Sequence, residues 1–223
     1  VPTSEAINQN LARLFDAERT VRRLHDDLAA LEVNELLDAL TPALSAALRE
    51  RDENEATVRL VRLASLLGEL DGPRVVDALI DVLTSDHAEA RDAAGRELEA
   101  LAYERFKEVA GGVERALKRL PEGSPALPEL PYILAEVPEP GVVKLIGQFL
   151  THRDPDAVAA AIETLAEIGD PKSIQMLKPL LGDARTADVP DDESDMPSEA
   201  TLGELAAEAI ELLEGREGDE EDT

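Results

Sequence analysis

The sequence contains no cysteine and no tryptophan, and only 2% of its residues are aromatic. Without cysteine there are no disulfides, no thiolate metal sites and no thiol nucleophile. With so few aromatics there is little to stack on a nucleobase. Any core must be built from Leu, Ala, Val and Ile, the residues of close-packed helix pairs in which small side chains let two axes approach. Histidine is scarce as well. His25, His87 and His152 stand far apart with no metal-ligand spacing between them, and no glycine-rich loop of phosphate-binding form is present. No metal and no cofactor is therefore expected. No apolar run approaches membrane-spanning length, and the opening VPTSEAINQN lacks the basic-then-apolar pattern of a secretory signal. The expectation is a cytoplasmic protein without a membrane association.

Lysine is the next shortage, with five Lys beside seventeen Arg. Acids outnumber both, and the formal charge is −27. Its distribution is uneven. Residues 182–223 hold sixteen acids against Arg185 and Arg216, a net of −14, while the remaining −13 is spread over 181 residues. Such a field repels a phosphate backbone, since nucleic-acid affinity comes chiefly from cationic side chains displacing counterions. Nucleic acid is excluded as a partner on this ground. A carboxylate-rich, lysine-poor surface also fits a high-salt cytoplasm, so the acidity has two readings, a halophilic source or a functional tail.

What the chain does have is a repeat. PRVVDALIDVL from Pro73, PGVVKLIGQFL from Pro140 and PKSIQMLKPLL from Pro171 align without gaps, and KEVAGGVERAL from Lys107 fits between the first two. Each is followed by a polar turn and a second amphipathic stretch; Val158, Ala161, Ile162, Leu165 and Ile168 form one helical stripe. The punctuation agrees. Asp154-Pro155 and Asp170-Pro171 set an N-cap Asp before a proline, and Asp52 with Glu55, Asp86 with Glu89 and Thr201 with Glu204 have capping-box spacing. No segment alternates with period two, so no sheet is expected.

The resulting map is all-α. A helix over about 4–31 precedes pairs at roughly 34–70, 72–102, 105–137, 139–169 and 171–214. The third pair carries Pro121, Pro125, Pro128 and Pro131, which predicts a short or late second helix. The fifth is split by an acidic insertion over 182–197, too poor in apolar residues to pack. Its oxygens lack the glycine turn and spacing of a calcium loop. A final helix ends at Gly215, and 215–223 reads as a disordered acidic tail. Residues 1–33 read as a capping helix, with Ile7, Leu11, Leu14, Val21, Leu24, Leu28 and Leu31 on one side to shield the first repeat. The alternative use of that stripe is self-association through 4–31. Gly111-Gly112 lies inside a helical pattern and reads as close packing or a kink.

With these residues in place, the sequence resembles the HEAT-repeat family, in particular the short phycobilisome-lyase-type repeats. The resemblance rests on Asp86 and Asp154 in the turns, on Arg91, and on the closing Leu-x-x-Ile-Gly-Asp-Pro of 165–171. It implies a right-handed alpha-alpha superhelix, a HEAT-like solenoid of about five helix pairs plus the N-terminal helix. It also implies that Asp86 and Arg91 stitch neighbouring repeats together; the fourth unit, with Val158-Ala159-Ala160, lacks the arginine. HEAT-like DNA glycosylases use a basic concave face, but acids interleave with the arginines here. The family commonly binds proteins along its second helices, and stacked pairs physically offer such a concave surface. The expected role is a protein-interaction scaffold or adaptor without catalysis, acting on another protein. The alternatives are a lyase-type subunit assisting chromophore attachment and a structural subunit of a larger assembly. The candidate protein-binding residues are Arg62, Arg96, Glu99, Glu163 and Glu167, which helical spacing leaves on the outward side of the second helices.

Overall fold

The computed structural model of the chain describes residues 3–189 and 198–221. Ten helices follow in order: α1 Ser4–Ala29, α2 Val33–Ala47, α3 Glu53–Gly68, α4 Pro73–Leu83, α5 Ala88–Arg119, α6 Ala126–Ala135, α7 Val142–Ile146, α8 Pro155–Ile168, α9 Lys172–Leu177 and α10 Leu202–Glu221. The architecture is an all-α repeat solenoid. Second helices stack in one row, α3 on α5, α5 on α6, α6 on α8 and α8 on α10. First helices form the opposite row, beginning with α2 on α4. One continuous core runs between the rows. It is aliphatic as the composition requires, with Leu60, Leu79, Leu98, Leu127 and Ile162 fully enclosed and Phe149 the large aromatic among them.

The helix starts follow local chemistry. Asp52 caps α3 by accepting from the Glu55 N–H at 2.9 Å, and Asp154 caps α8 with Pro155 as the first helical residue. Thr201 and Glu204 close a reciprocal box, the Glu204 N–H donating to the Thr201 hydroxyl and the Thr201 N–H to the Glu204 carboxylate. Two expected features of this kind differ. The N-cap of α5 is His87, without a side-chain cap bond, so Asp86 and Glu89 form no box there; the N-cap of α9 is Pro171 and not Asp170, whose carboxylate accepts the Lys172 N–H at 2.9 Å. The second and third pairs meet where expected, between 102 and 105, as two helical segments of α5 that abut without an intervening loop, at a kink at Arg105 (φ −141°, ψ 49°). The Arg105 guanidinium donates to the Leu70 carbonyl at 3.3 Å and pairs with Asp71 and Glu108 of the preceding turn and its own helix.

The proline-rich third pair does have a short second helix, the ten-residue α6, with Pro125 at its cap and Pro131 inside. The first helices of the last two pairs are also short. α7 and α9 span five and six residues, each continued by a 3-10 turn, at Phe149–Thr151 and Lys178–Leu180. Gly112 is a close-packing glycine. Any Cβ there would overlap the Val76 side chain of α4, whereas at Gly111 it would meet only the end of Arg115.

Three expectations at the ends and in the insertion need correction. α1 does not seal the array. None of its residues is buried, and Leu11, Leu14, Phe15 and Leu24 are exposed, Leu14 by 59%. It touches α3 through polar contacts, His25 Nε2 with Glu69 Oε1 at 2.8 Å and Glu18 with Arg62 at 4.0 Å. The insertion contributes a small sheet where none was expected. Strands β1 Thr186–Val189 and β2 Ser198–Thr201 pair antiparallel, Thr186 opposite Thr201 and Ala187 opposite Ala200, with Ala187 buried. Residues 190–197 lie outside the described residues. Finally, Gly215 does not end α10, whose backbone stays helical to Glu221; residues 222 and 223 are likewise outside the description. Among the described residues, no helix is long and apolar enough to cross a membrane.

Candidate functional site

The repeats are held in register by polar rungs as well as by the core. Arg91 on α5 donates to the Ser85 carbonyl of its own turn at 3.1 Å and to Glu129 of α6 at 3.0 Å, the stitching role implied for it. Asp86 does not share that role: it is exposed, and the turn carboxylate that joins repeats is Asp154, in the next turn of this kind. Asp154 is buried, accepts the Ala157 N–H of α8 at 3.1 Å, and accepts the Gly123 N–H of the preceding pair at 2.6 Å. The arginine missing from the fourth unit is replaced from a distance. Arg185, just before β1, donates to the His152 carbonyl at 2.8 Å, the position equivalent to Ser85, and is itself held by Asp183 at 2.6 Å. That pairing draws the Asp183 carboxyl below its ordinary range, mainly through the side-chain hydrogen bond.

Held this way, α6, α8, α10 and β1 enclose an open groove of about 670 Å³. Its floor exists because the facing residues are small: Ala159, Ala160 and Ala166 on α8 and Ala209 on α10 leave room that larger side chains would fill. Leu205 and Leu212 of α10 extend the apolar surface. The rim is anionic, with Asp156, Glu163 and Glu167 from α8, Glu208 from α10 and Asp188 from β1. Among the described residues, no Lys or Arg lines it. The Arg216 guanidinium of α10 is turned to the C-terminus of α8. There it donates to the Ala166 and Glu167 carbonyls at 2.9 and 3.1 Å, beside Gly169 in the left-handed region at φ 76°.

The field inside the groove is recorded by its titratable groups. The Tyr132 hydroxyl donates to Glu163 at 2.6 Å. Its pKa is pushed far above the ordinary phenol value by burial, by that hydrogen bond and by the charges of Glu163, Glu167 and Glu129. Tyr132 therefore stays a donor and not a base. The Asp156 carboxyl is raised by partial desolvation and by repulsion from Asp154 and Asp188, against a stabilising Asp188 N–H. The groove thus offers apolar contact and carboxylate acceptors. Among the described residues no group of three or more His, Asp or Glu has the geometry to hold a metal ion.

Of the five candidate residues, the structure brings Glu163 and Glu167 together on the groove rim. Arg62 is exposed on α3 beside Glu18 of α1, and Arg96 and Glu99 lie on α5; none of these three lines the groove. Sequence reasoning missed Tyr132, Asp156, Asp188 and Glu208. Asp156 was within reach, since it sits seven residues before Glu163 on the same helical stripe. Asp188 was not, because only the β1–β2 pairing carries it to α8.

Residues 132–191, which span much of this site, match the family model described as HEAT repeats. This stretch is thus a HEAT-repeat segment within an all-α solenoid. The match is to HEAT repeats at large and does not single out the phycobilisome-lyase type. Similar solved structures include an engineered protein, 22% identical, with 88% of this chain and 90% of that one covered at a TM-score of 0.35. A second engineered protein is 20% identical over 89% and 92% at 0.36. A designed armadillo repeat protein is 15% identical over 96% and 95% at 0.33. No curated protein matches the chain.

Proposed function

We propose that this chain is a protein-binding scaffold that works without catalysis, receiving its partner along the row of second helices. The observation that carries this reading is the stacking of α3, α5, α6, α8 and α10 in one row, ending in the open groove. Stacked pairs present side chains at regular intervals on one extended surface, which suits the capture of a macromolecule better than the enclosure of a small one. Arg62, Arg96 and Glu99 would serve the N-terminal part of that surface, Glu163 and Glu167 the C-terminal part. Charges of both signs set orientation and on-rate more than total affinity.

The test is a pull-down from native lysate at matched high and low salt, repeated with Arg62→Glu/Arg96→Glu and with Glu163→Lys/Glu167→Lys. A discrete stoichiometric partner that either pair of substitutions releases, with the helical circular dichroism unchanged, supports the scaffold. Constant recovery in one large particle would point instead to a structural subunit, and a bilin-bearing partner to chromophore attachment. Failure to recover any stoichiometric partner at either salt concentration would sink the proposal.

A further inference from the structure

We infer that the groove between α6, α8 and α10 seats a cationic amphipathic segment of a partner protein, its aliphatic face on the alanine floor and its Lys or Arg side chains on the carboxylate rim. This rests on the scaffold reading and gives that partner a chemistry. The argument is one of charge complementarity. On the opposite row of the solenoid, carboxylates are answered by arginines of the neighbouring repeat. Arg74 meets Asp38 at 2.7 Å, Arg115 meets Asp77 at 3.0 Å and Arg119 meets Asp81 at 2.6 Å. In the groove, among the described residues, Glu163, Glu167, Glu208, Asp156 and Asp188 form no ion pair with Lys or Arg, although they stand beside an apolar floor. Two guanidinia on neighbouring segments are engaged elsewhere, Arg216 on the Ala166 and Glu167 carbonyls and Arg185 on Asp183 and the His152 carbonyl.

A surface that is apolar beneath and anionic around its edge is the negative image of a Lys or Arg side chain, whose aliphatic stem covers carbon while its head seeks oxygen. The volume, about 670 Å³, holds several such residues and their apolar neighbours. Glu163 is already oriented by the Tyr132 hydroxyl at 2.6 Å, so one acceptor is fixed before a ligand arrives. Anionic partners, phosphate backbones and acidic lipid surfaces among them, are repelled by the same rim.

A fluorescein-labelled sixteen-residue helical peptide, with leucines on one face flanked by Lys and Arg, is titrated with the full chain at about 0.15 M salt, where long-range attraction is screened. A peptide of the same composition, scrambled to abolish the apolar face, is the control. Binding is expected to weaken by about tenfold or more in Glu163→Gln/Glu167→Gln, because the lost contacts are local charge pairs against an apolar wall. Leu212→Ser, a substitution at a residue 48% exposed, should weaken it without unfolding the array. Glu53→Gln/Asp92→Asn removes the same two charges from exposed positions on α3 and α5 and should change the affinity by less than about twofold. Equal weakening by both double variants, equal binding of the scrambled peptide, or no binding at all would overturn the inference. A lysate partner kept by Glu163→Gln/Glu167→Gln but lost from Arg62→Glu/Arg96→Glu overturns the groove and leaves the scaffold reading standing.

Discussion

Replacing Asp154 with alanine should remove two anchors at once. The carboxylate is 2% exposed and has no cationic partner among the described residues; the N-terminal dipole of α8 and two backbone N–H groups hold it. Loss of the N-cap bond to Ala157 costs about 1 kcal/mol, within a usual range of about 0.5–2. The bond to the Gly123 N–H is short at 2.6 Å and charge-assisted, which places it at about 1.5–3 kcal/mol, and its loss leaves a part-buried donor unpaired. Asp154→Ala is therefore expected to destabilise by about 2–5 kcal/mol. Asp154→Asn keeps a good cap oxygen but turns a neutral amide toward Gly123, so it should lose about 1–2 kcal/mol. Urea unfolding followed at 222 nm, with the denaturant slope compared between variants, measures both. A loss below about 0.5 kcal/mol for alanine, or identical losses for alanine and asparagine, would refute the assignment of Asp154 as the rung between the third and fourth pairs.

The core offers a second check. Leu79 and Leu165 are fully buried, so Leu79→Ala and Leu165→Ala should each cost about 2–5 kcal/mol in the same assay, and losses below about half a kcal/mol at both would sink the repeat register. The third concerns pH. The Asp156 carboxyl is raised above its ordinary 3.8, first by desolvation and then by Asp154 and Asp188. The folded chain thus holds this proton more tightly than the unfolded one, and the stability it contributes is present below the unfolded value and lost as pH rises through the folded one. Asp156→Asn should accordingly melt higher than the parent at pH 7, with the gap narrowing as pH falls toward 3.8. A gap that is constant or widens on acidification, in thermal melts across that range, would contradict the sign.

The helix pairs were legible because an ungapped eleven-residue pattern recurs and proline or aspartate marks several starts. The rungs were only half legible. Arg91 was readable, but matching Asp86 to Asp154 was off by one: the two N-caps are His87 and Asp154, and the residue aligned with Asp86 is Arg153. Of the two Asp-Pro pairs, Asp154 is the N-cap of its helix, whereas at Asp170-Pro171 the cap position falls on the proline. The replacement of the missing arginine by Arg185, 33 positions from His152, could be found only by folding the chain. The β1–β2 pairing was hidden for another reason. Four-residue strands joined by backbone bonds need no apolar alternation, and Ala187 is buried against the array. At α1, periodicity revealed an apolar stripe but not what covers it, and the stripe is exposed. In the groove, spacing found Glu163 and Glu167, because outward positions on a helix follow from its period; Ala159 and Ala160 beneath them stood out only as the place where the fourth unit lacks its arginine.

The kink at Arg105 has a mechanical meaning. A solenoid is an elastic strip, and each loop between its helices is a compliant joint where small rotations accumulate into curvature. At Arg105 the joint shrinks to the two torsions of one residue, with its guanidinium braced on the Leu70 carbonyl. The strip should therefore bend less between its second and third pairs than at a full loop. Its compliance shifts toward α7 and α9, where five- and six-residue helices trail into 3-10 turns of poorer hydrogen-bond geometry. Those short elements form the backing behind the groove. Load applied by a seated segment would be absorbed there, letting the C-terminal pairs flex about a rigid stem formed by α4, α5 and α6.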